Sequence, residues 1–365
     1  GAVLPMEREM CSSADHQKSP DGKGWIYGLQ PGSLPDPIDI YETAKADPAG
    51  ASIAATPPTV AAASIQFERM IFSCRANVNH PPTWQGRLAS RHPSGSNPEA
   101  KFTMLSTMQD APLTITTIMR HATGQNYRRT VTTALGGGQY RTMTYGEVGR
   151  QSGRLANALR GLGITGDQRV ATFMWNNAEH TVAYLAIPSM GAVLHTLNIR
   201  LSPEQIAYIA NEAEDQIVIA DLSLTAQLAP VLPQMKTVHT VIAIGAGDLG
   251  PLETAGKTVL RYDELLAAQP EDFDWPEIDE RSAAAMCYTS GTTGNPKGVV
   301  YSHRSSFLHA MATCTSNALD VGSDDVALPI VPMFHANAWG LPYAALMAGA
   351  DLVMPDRFLD GASLI

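Results

Sequence analysis

The stretch Tyr288-Thr-Ser-Gly-Thr-Thr-Gly-Asn-Pro-Lys-Gly298 determines how this chain is interpreted. Its three glycines allow the backbone to approach a ligand closely and to present successive N–H groups to an anion. Lys297 adds a positive charge, and four side chains add hydroxyl donors: Thr289, Ser290, Thr292 and Thr293. These features predict a loop that binds a polyphosphate. The alternative for such a cluster is an ordinary surface turn.

Short apolar runs alternate with helical patterns on both sides of this loop. The candidate strands are 169–175, 193–197, 216–220, 238–244, 283–288, 299–302, 326–331 and 352–354. Apolar runs that are separated by helices indicate parallel strands with both faces covered. The sequence therefore predicts an α/β fold, with parallel-rich sheets covered by helices on both faces.

Several local signals predict where helices begin and end. Thr144-Tyr-Gly-Glu147 is a capping box, and Ser202-Pro-Glu-Gln205 combines a capping residue with a proline at the first helical position. Pro188 should end or kink a helix over 178–190. Gly136-Gly-Gly138 predicts a hairpin turn, and a further helix is expected over about 338–348.

Composition narrows the classes of protein to which the chain could belong. The 365 residues suffice for about two domains and carry a formal charge of −10, which disfavours nucleic-acid binding. The four cysteines are scattered without a CxxC pair, which favours a reducing compartment. No apolar run approaches the length of about 18 residues that a membrane span needs. We expect a soluble, cytoplasmic protein.

The chain changes character near residue 103. Residues 1–103 hold 12 of the 25 prolines and show no sustained periodicity, so they are predicted to be an irregular, largely disordered extension. A poorly patterned but folded extra domain is the alternative. Residues 104–365 are predicted to form one large domain, with a first α/β subdomain at 104–270, an acidic linker, and a second subdomain with the phosphate loop at 281–365.

The phosphate loop resembles the signature of the adenylate-forming (AMP-binding) enzymes, which include acyl-CoA synthetases, aryl-CoA ligases, luciferases and peptide-synthetase adenylation domains. A second match, Val331-Pro-Met-Phe-His-Ala-Asn-Ala-Trp-Gly-Leu-Pro-Tyr343, is most similar to the long- and medium-chain fatty acyl-CoA synthetases. A weaker third match is Leu197-Asn-Ile-Arg-Leu-Ser-Pro-Glu-Gln205. The resemblance extends from about Thr114 to the end of the chain.

The resemblance implies a reaction in two halves. A carboxylate attacks the α-phosphate of Mg-ATP to give an acyl-adenylate and pyrophosphate, and the thiol of coenzyme A then attacks the mixed anhydride. The implied cofactors and substrates are ATP, Mg²⁺, coenzyme A and a fatty acid. The family also implies a possible homodimer. Within the same family, an aryl- or other carboxylate–CoA ligase is the alternative.

The resemblance also implies roles for individual residues. The residues matching those that hold the β- and γ-phosphates are Ser290, Gly291, Thr292, Thr293, Gly294 and Lys297. Thr289 matches the threonine that contacts Mg²⁺. His335, Ala336 and Trp339 match positions near the adenylate and the acyl tunnel, where Trp339 would act as a gate. From the residues alone, a histidine such as His335 is more often a satisfied, partly buried residue, and a tryptophan such as Trp339 is more often a core residue. His303 is a weaker candidate.

The later motifs of the family do not occur in this sequence. These are the stretch that grips AMP, the aspartate that holds the ribose, and the small C-terminal domain with its lysine. We therefore expect a truncated large domain, assign no catalytic residue, and expect this chain alone to be inactive or nearly so. A non-catalytic remnant of a ligase is the alternative from another class.

Overall fold

The computed structural model describes residues 107–289 and 295–364. The predicted extension at 1–103 lies outside this range, as do Ser290 to Gly294 of the glycine-rich loop. The strands are β1 (Thr130–Gly136), β2 (Gln139–Thr144), β3 (Arg169–Phe173), β4 (Val193–Thr196), β5 (Asp215–Asp221), β6 (Thr240–Ile244), β7 (Thr258–Arg261), β8 (Ala283–Thr289), β9 (Lys297–Ser302), β10 (Val326–Ala327) and β11 (Asp351–Met354).

Helices precede, separate and follow these strands along the chain. They are α1 (Ile115–Gly124), α2 (Tyr145–Gly161), α3 (Ala178–Ser189), α4 (Pro203–Glu212), α5 (Thr225–Leu228), α6 (Gly250–Glu253), α7 (Tyr262–Ala267), α8 (His303–Thr313), α9 (Leu341–Ala348) and α10 (Gly361–Leu364). Every residue of α3 is buried, as expected for a helix that is apolar on most of its surface. Within the described residues, no helix combines the length and apolar character that crossing a bilayer requires.

The larger sheet has seven strands in the order β7-β6-β5-β3-β4-β8-β9. All its pairs are parallel except β8–β9, which is antiparallel. The smaller sheet has the order β10-β11-β1-β2, with β1–β2 antiparallel. Apolar side chains pack on both faces of the larger sheet. The predicted α/β class with parallel-rich sheets is confirmed.

Both sheets take strands from both sides of the acidic segment near residues 270–280. Strands β8 and β9 extend the larger sheet beside β4, while β10 and β11 join β1 in the smaller one through the pairing of β11 with β1. The residues expected to form the first and second subdomains therefore share both sheets.

The predicted local signals are largely confirmed. Both predicted helix caps form, and each is a capping box: the Thr144 hydroxyl accepts from the N–H of Glu147, and the Ser202 hydroxyl accepts from that of Gln205. Helix α3 ends one residue after Pro188. The three glycines at 136–138 all have positive φ and connect β1 to β2, as the hairpin prediction required.

Two predicted elements differ from the structure. The strand expected over 326–331 is limited to Val326–Ala327. The helix expected over 338–348 begins at Leu341, because the residues before it form a left-handed turn that is described below.

The parallel strands place three segments at one edge of the larger sheet. The carboxyl ends of parallel strands lie at the same edge, which is where α/β sheets bind ligands. Asn176 follows β3, the Leu197–Gln205 segment follows β4, and Thr289 ends β8. The first and third sequence matches are thus brought together by the sheet.

Candidate functional site

The two ends of the glycine-rich loop face each other across an antiparallel pair. Thr289 is the last residue of β8 and Lys297 the first of β9, and the two are partners in the register of the strands. Both residues are exposed. The hydroxyl of one and the ammonium group of the other are therefore available at the same end of the hairpin. The other predicted loop residues lie outside the described range: Ser290, Gly291, Thr292, Thr293 and Gly294.

The base of this hairpin is closely packed. Tyr288 pairs with Gly298, and a Cβ atom at Gly298 would lie 3.2 Å from Cζ of the Tyr288 ring. The same ring contacts the imidazole of His195 on β4, with 5.3 Å between ring centroids. Burial is the main cause that raises the pKa of the Tyr288 hydroxyl. The base of the hairpin therefore packs against the larger sheet through the buried contact between Tyr288 and His195.

His195 belongs to a buried acid–base pair. Its Nδ1 atom lies 2.8 Å from both carboxylate oxygens of Asp215, and both side chains are fully buried. Burial raises the pKa of Asp215, and the neighbouring His195 opposes that rise. The Nε2 atom of His195 has no hydrogen-bond partner among the described residues. The pair lies beneath the hairpin and has no exposed atom with which to meet a substrate.

The second sequence match folds as a left-handed turn. Residues Ala336 to Gly340 all have positive φ, between 44° and 67°. Such a run of non-glycine residues is costly and occurs mainly at functional sites, where the surroundings hold it in place. His335 precedes the turn and is exposed, Ala336 is partly buried, and the Trp339 side chain is 39% exposed. Neither His335 nor Trp339 is a core residue.

Contacts from two other elements hold this turn. The Nε2 atom of His309 on α8 lies 2.7 Å from the carbonyl oxygen of Trp339. Burial raises the pKa of the Cys287 thiol on β8, and hydrogen bonds with the Tyr301 hydroxyl and the backbone of Ala336 oppose that rise. Because Cys287 is two residues before Thr289, the turn and the phosphate-loop hairpin are neighbours. The structure thus brings the first and second matches together.

Arg200, to which the sequence assigned no role, contacts the same region. Its guanidinium carbon lies 5.8 Å from the centroid of the Phe334 ring, within the range of a cation–π contact. Phe334 is buried and directly precedes His335. The third sequence match therefore touches the second one.

His303, the weaker candidate, is buried and has a structural role. Its Nδ1 atom accepts a hydrogen bond from the backbone N–H of Ile115 at 3.2 Å. Burial lowers its pKa to about 4, which keeps the imidazole neutral near pH 7. The residue connects the first turn of α8 to the first turn of α1.

A family model supplies the identification once this geometry is known. The model of the AMP-binding enzymes, described as "AMP-binding enzyme", matches residues 119–364. The chain belongs to the AMP-binding enzyme family. The resemblance noted in the sequence is confirmed, and the described part of the phosphate hairpin and the turn both lie within the matched range of this AMP-binding chain.

Curated relatives of this AMP-binding chain include CoA ligases for several carboxylic acids. The chain is 41% identical over 264 residues to a medium-chain-fatty-acid–CoA ligase of Ectopseudomonas oleovorans, which covers 72% of this chain and 48% of that protein. It is 43% identical to a long-chain-fatty-acid–CoA ligase of Thermus thermophilus (71% and 46% covered). It is 39% identical to a 3-methylmercaptopropionyl-CoA ligase of Ruegeria pomeroyi (72% and 48%). The chain spans about half the length of these relatives.

Solved structures agree with the AMP-binding fold. A fatty acyl CoA synthetase of Mycobacterium tuberculosis superposes with a TM-score of 0.56 at 25% identity, over 67% of this chain and 45% of that one. An anthranilate CoA ligase in complex with anthranoyl-AMP gives a TM-score of 0.60 at 20% identity, with the same coverage of 67% and 45%. At that lower identity the likeness concerns the fold alone.

Proposed function

We propose that this AMP-binding chain is the nucleotide-binding part of a fatty-acid–CoA ligase. The observation that carries the proposal is the meeting of two motifs at one edge of the larger sheet. The exposed pair Thr289 and Lys297 lies at the end of the phosphate-loop hairpin. The exposed His335 precedes the strained turn beside the same strand, and the exposed Trp339 lies within it. The hairpin suits a polyphosphate. The turn offers a polar side chain, His335, and an apolar one, Trp339, next to it.

Lys297 is proposed to bind the β- and γ-phosphates of ATP. Its ammonium group is exposed at the end of the hairpin, where an anion can reach it from solvent. The adenylation step requires little covalent chemistry from the protein, because positioning and charge stabilisation lower its barrier. Lys297 would neutralise charge on the departing pyrophosphate and so favour attack of the carboxylate on the α-phosphate.

Thr289 is the residue proposed to hold Mg²⁺. Its exposed hydroxyl lies opposite Lys297 in the strand register and supplies the oxygen donor that this hard cation prefers. The bound ion would add further positive charge beside the phosphates.

A fatty acid is the proposed carboxylate substrate. The Phe334-His-Ala-Asn-Ala-Trp339 segment supports this choice, because the exposed Trp339 ring provides apolar surface next to the polar His335. The fatty-acid ligases among the relatives support it too. The methylmercaptopropionyl-CoA ligase is a relative at similar identity, so short thioether acids belong in the test.

Titration of the chain with Mg-ATP tests the nucleotide site directly. We expect saturable binding by calorimetry, and we expect Lys297→Ala to weaken it by about tenfold or more, since a charged hydrogen bond contributes about 1.5–3 kcal/mol. Lys236→Ala removes the same charge from an exposed position before β6 and serves as the control. Unchanged affinity in Lys297→Ala, with the control also unchanged, would contradict the assignment.

Pyrophosphate exchange then tests the chemistry and the substrate class. Any exchange that this chain supports should be faster with octanoate and palmitate than with benzoate or 3-methylmercaptopropionate if the acyl assignment is right. Exchange that is highest with benzoate would favour an aryl–CoA ligase. The expectation that this chain alone is inactive stays a prediction, and the same assay tests it. If no exchange is observed, binding of Mg-ATP shows whether the chain has a nucleotide site that binds without turnover. The expected homodimer stays a prediction, which a measurement of the molar mass in solution by light scattering would test.

A further inference from the structure

Asn176 makes three hydrogen bonds to a single backbone segment. Its side chain is buried and follows the carboxyl end of β3. The Nδ2 group donates to the carbonyl oxygens of Pro329 at 2.8 Å and of Val331 at 3.0 Å. The Oδ1 atom accepts from the backbone N–H of Met333 at 2.7 Å. Both donors and one acceptor lone pair of the amide are therefore used on one stretch of five residues.

Tyr184 holds the same segment from a second side. Its hydroxyl, which lies on the fully buried helix α3, donates to the carbonyl oxygen of Met333. The N–H and the carbonyl of Met333 are thus both fixed by side chains from the first half of the described chain. Tyr343 supports this anchor, since its hydroxyl donates to the backbone carbonyl of Tyr184 at 3.0 Å.

The segment depends on these side chains for its conformation. Residues 328–332 belong to no helix or strand, so no ladder of backbone hydrogen bonds holds them. A buried carbonyl or N–H without a partner is costly, which makes the amide of Asn176 hard to replace. An aspartate would present only acceptors to two carbonyl oxygens, and an alanine would leave three backbone groups unpaired.

The anchored segment leads directly into the strained turn. His335 follows Met333 by two residues, and the left-handed turn ends with Trp339 and Gly340. We propose that Asn176 is a positioning residue for the acid-binding side of the site, acting through Met333 on His335 and Trp339. This inference rests on the proposed function, and it adds a residue whose side-chain hydrogen bonds, among the described residues, go to the backbone segment before the turn.

Asn177 offers a matched control. It is the adjacent residue, is equally buried, and caps α3 through a hydrogen bond from the N–H of His180 to its Oδ1 at 2.9 Å. Its amide nitrogen contacts Asp356 at 3.1 Å rather than the segment before the turn. Asn177→Ala should therefore lower stability through the lost cap without moving Met333.

The experiment measures ligand affinity and the environment of Trp339 in the same samples. The chain is labelled with 5-fluorotryptophan, and the ¹⁹F resonance that disappears in Trp339→Phe is assigned to Trp339. In Asn176→Asp we expect that resonance to shift or broaden, octanoate to bind about tenfold more weakly, and Mg-ATP to bind within about twofold of wild type, because a misplacement of about 1 Å can cost up to a hundredfold. Asn177→Ala should change none of the three. Tyr184→Phe, which removes only the hydroxyl, provides a milder disturbance if Asn176→Asp does not fold.

The outcomes distinguish a failure of the proposed function from a failure of the positioning role of Asn176. A wild-type chain that binds neither octanoate nor Mg-ATP would overturn the proposed function, and this inference would fall with it. Wild-type binding of both, with the octanoate affinity and the Trp339 resonance unchanged in both Asn176→Asp and Tyr184→Phe, would overturn the positioning role alone. If Asn176→Asp weakened octanoate and Mg-ATP binding equally, or if Asn177→Ala changed octanoate binding and the Trp339 resonance in the same way, Asn176 would have only a structural role. Either result would also overturn the positioning role.

Discussion

The Nδ1 atom of His303 accepts a hydrogen bond from the backbone N–H of Ile115, two residues separated by 188 positions in the sequence. A second contact runs parallel to it, since the carboxylate of Glu280 accepts from the N–H of Leu113 at 2.8 Å and pairs with Arg304. Helix α1 is thus fixed to the start of α8, immediately after the strand that Lys297 begins. A protonation change at His303 would act on this junction.

Stability should fall as the pH falls through the range in which His303 titrates. Burial lowers the pKa of His303 to about 4 from its ordinary value of 6.5, and it lowers that of the buried His180 to about 4 as well. The unfolded chain therefore binds more protons than the folded chain between these values, so stability is complete above about pH 6.5 and is lost toward about pH 4. At about pH 5 the loss amounts to about 2 kcal/mol for each histidine.

Urea unfolding at several pH values measures this effect. His303→Gln should remove the part of the pH dependence that comes from His303. The variant should also be less stable near pH 7, because the N–H of Ile115 loses the Nδ1 atom that accepts its hydrogen bond. His121→Gln removes an exposed imidazole from α1 and serves as the control for a histidine substitution away from the junction. A wild-type stability that is flat between about pH 5 and pH 7 would contradict the neutral, buried state of both imidazoles.

Two glycines of helix α2 should respond to alanine in opposite ways. A Cβ atom at Gly153 would lie 1.8 Å from the carbonyl oxygen of Glu271, whereas one at Gly161 meets nothing within 4 Å. Gly153→Ala would push the acidic segment away from the helix and should cost about 3 kcal/mol. Gly161→Ala reduces the freedom of the unfolded chain and should add about 0.5 kcal/mol.

Urea midpoints of the two variants, compared with wild type, test this pair. The acidic segment is also held by Asn157, whose amide donates to the carbonyl oxygens of Pro270 and Asp272 at 3.0 and 2.9 Å. Proteolysis within 270–280 should therefore accelerate in Gly153→Ala and not in Gly161→Ala. If both variants matched wild type in midpoint and cleavage rate, the close approach of helix and segment would be wrong.

The left-handed turn makes Gly340 difficult to substitute. Gly340 has φ +67°, and an added Cβ would lie 2.5 Å from Cδ2 of His309. Gly340→Ala should lower stability by about 1–3 kcal/mol through backbone strain and this clash. In a His309→Ala background the clash is absent, so the same substitution should cost less, and a double-mutant cycle measures the difference. Additive costs would show that His309 does not pack on the turn.

Local sequence signals predict local structure here, and they miss what depends on distant contacts. The capping boxes at Thr144 and Ser202 form because each involves residues three positions apart. The helix expected from residue 338 begins at Leu341, because residues 336–340 form a left-handed turn that Ala336, Ala338 and Trp339 do not indicate by their residue types. Asn176 gives no signal, since its first partner, Pro329, lies 153 residues further along the chain. Only the adjacent Asn177 is recognisable from local sequence, as a helix cap.

Some residues at the candidate site can be identified from local sequence, and others depend on the order of strands in the sheet. The glycine-rich stretch is distinctive in its composition, so Thr289 and Lys297 can be selected from the sequence alone. The pairing of His195 with Asp215 cannot, because the two residues lie on strands β4 and β5, with β3 between them in the sheet. Ala171 is the β3 residue opposite His195, and its small side chain leaves room for the imidazole to reach across.

The buried His195–Asp215 pair should be costly to break and cheaper to replace. His195→Leu leaves the Asp215 carboxylate buried without its partner, which should cost about 3–5 kcal/mol near pH 7. Replacing both residues by leucine removes the uncompensated charge, so the double variant should recover much of that loss. The pH dependence distinguishes this cause from a simple packing defect. Burial already raises the pKa of Asp215, and the loss of His195 raises it further, so the folded carboxyl is neutral at acidic pH and its penalty grows as the pH rises.

Urea unfolding of the wild type, the single variant and the double variant at about pH 4.5 and pH 7 tests the charge directly. The difference in free energy between His195→Leu and the double variant should shrink at the lower pH, because only the single variant retains the buried Asp215 carboxyl, which is then protonated. Packing losses do not depend on protonation. A deficit in His195→Leu that is equal at both pH values would therefore show that its origin is the cavity and not the unpaired carboxylate beneath the phosphate-loop hairpin.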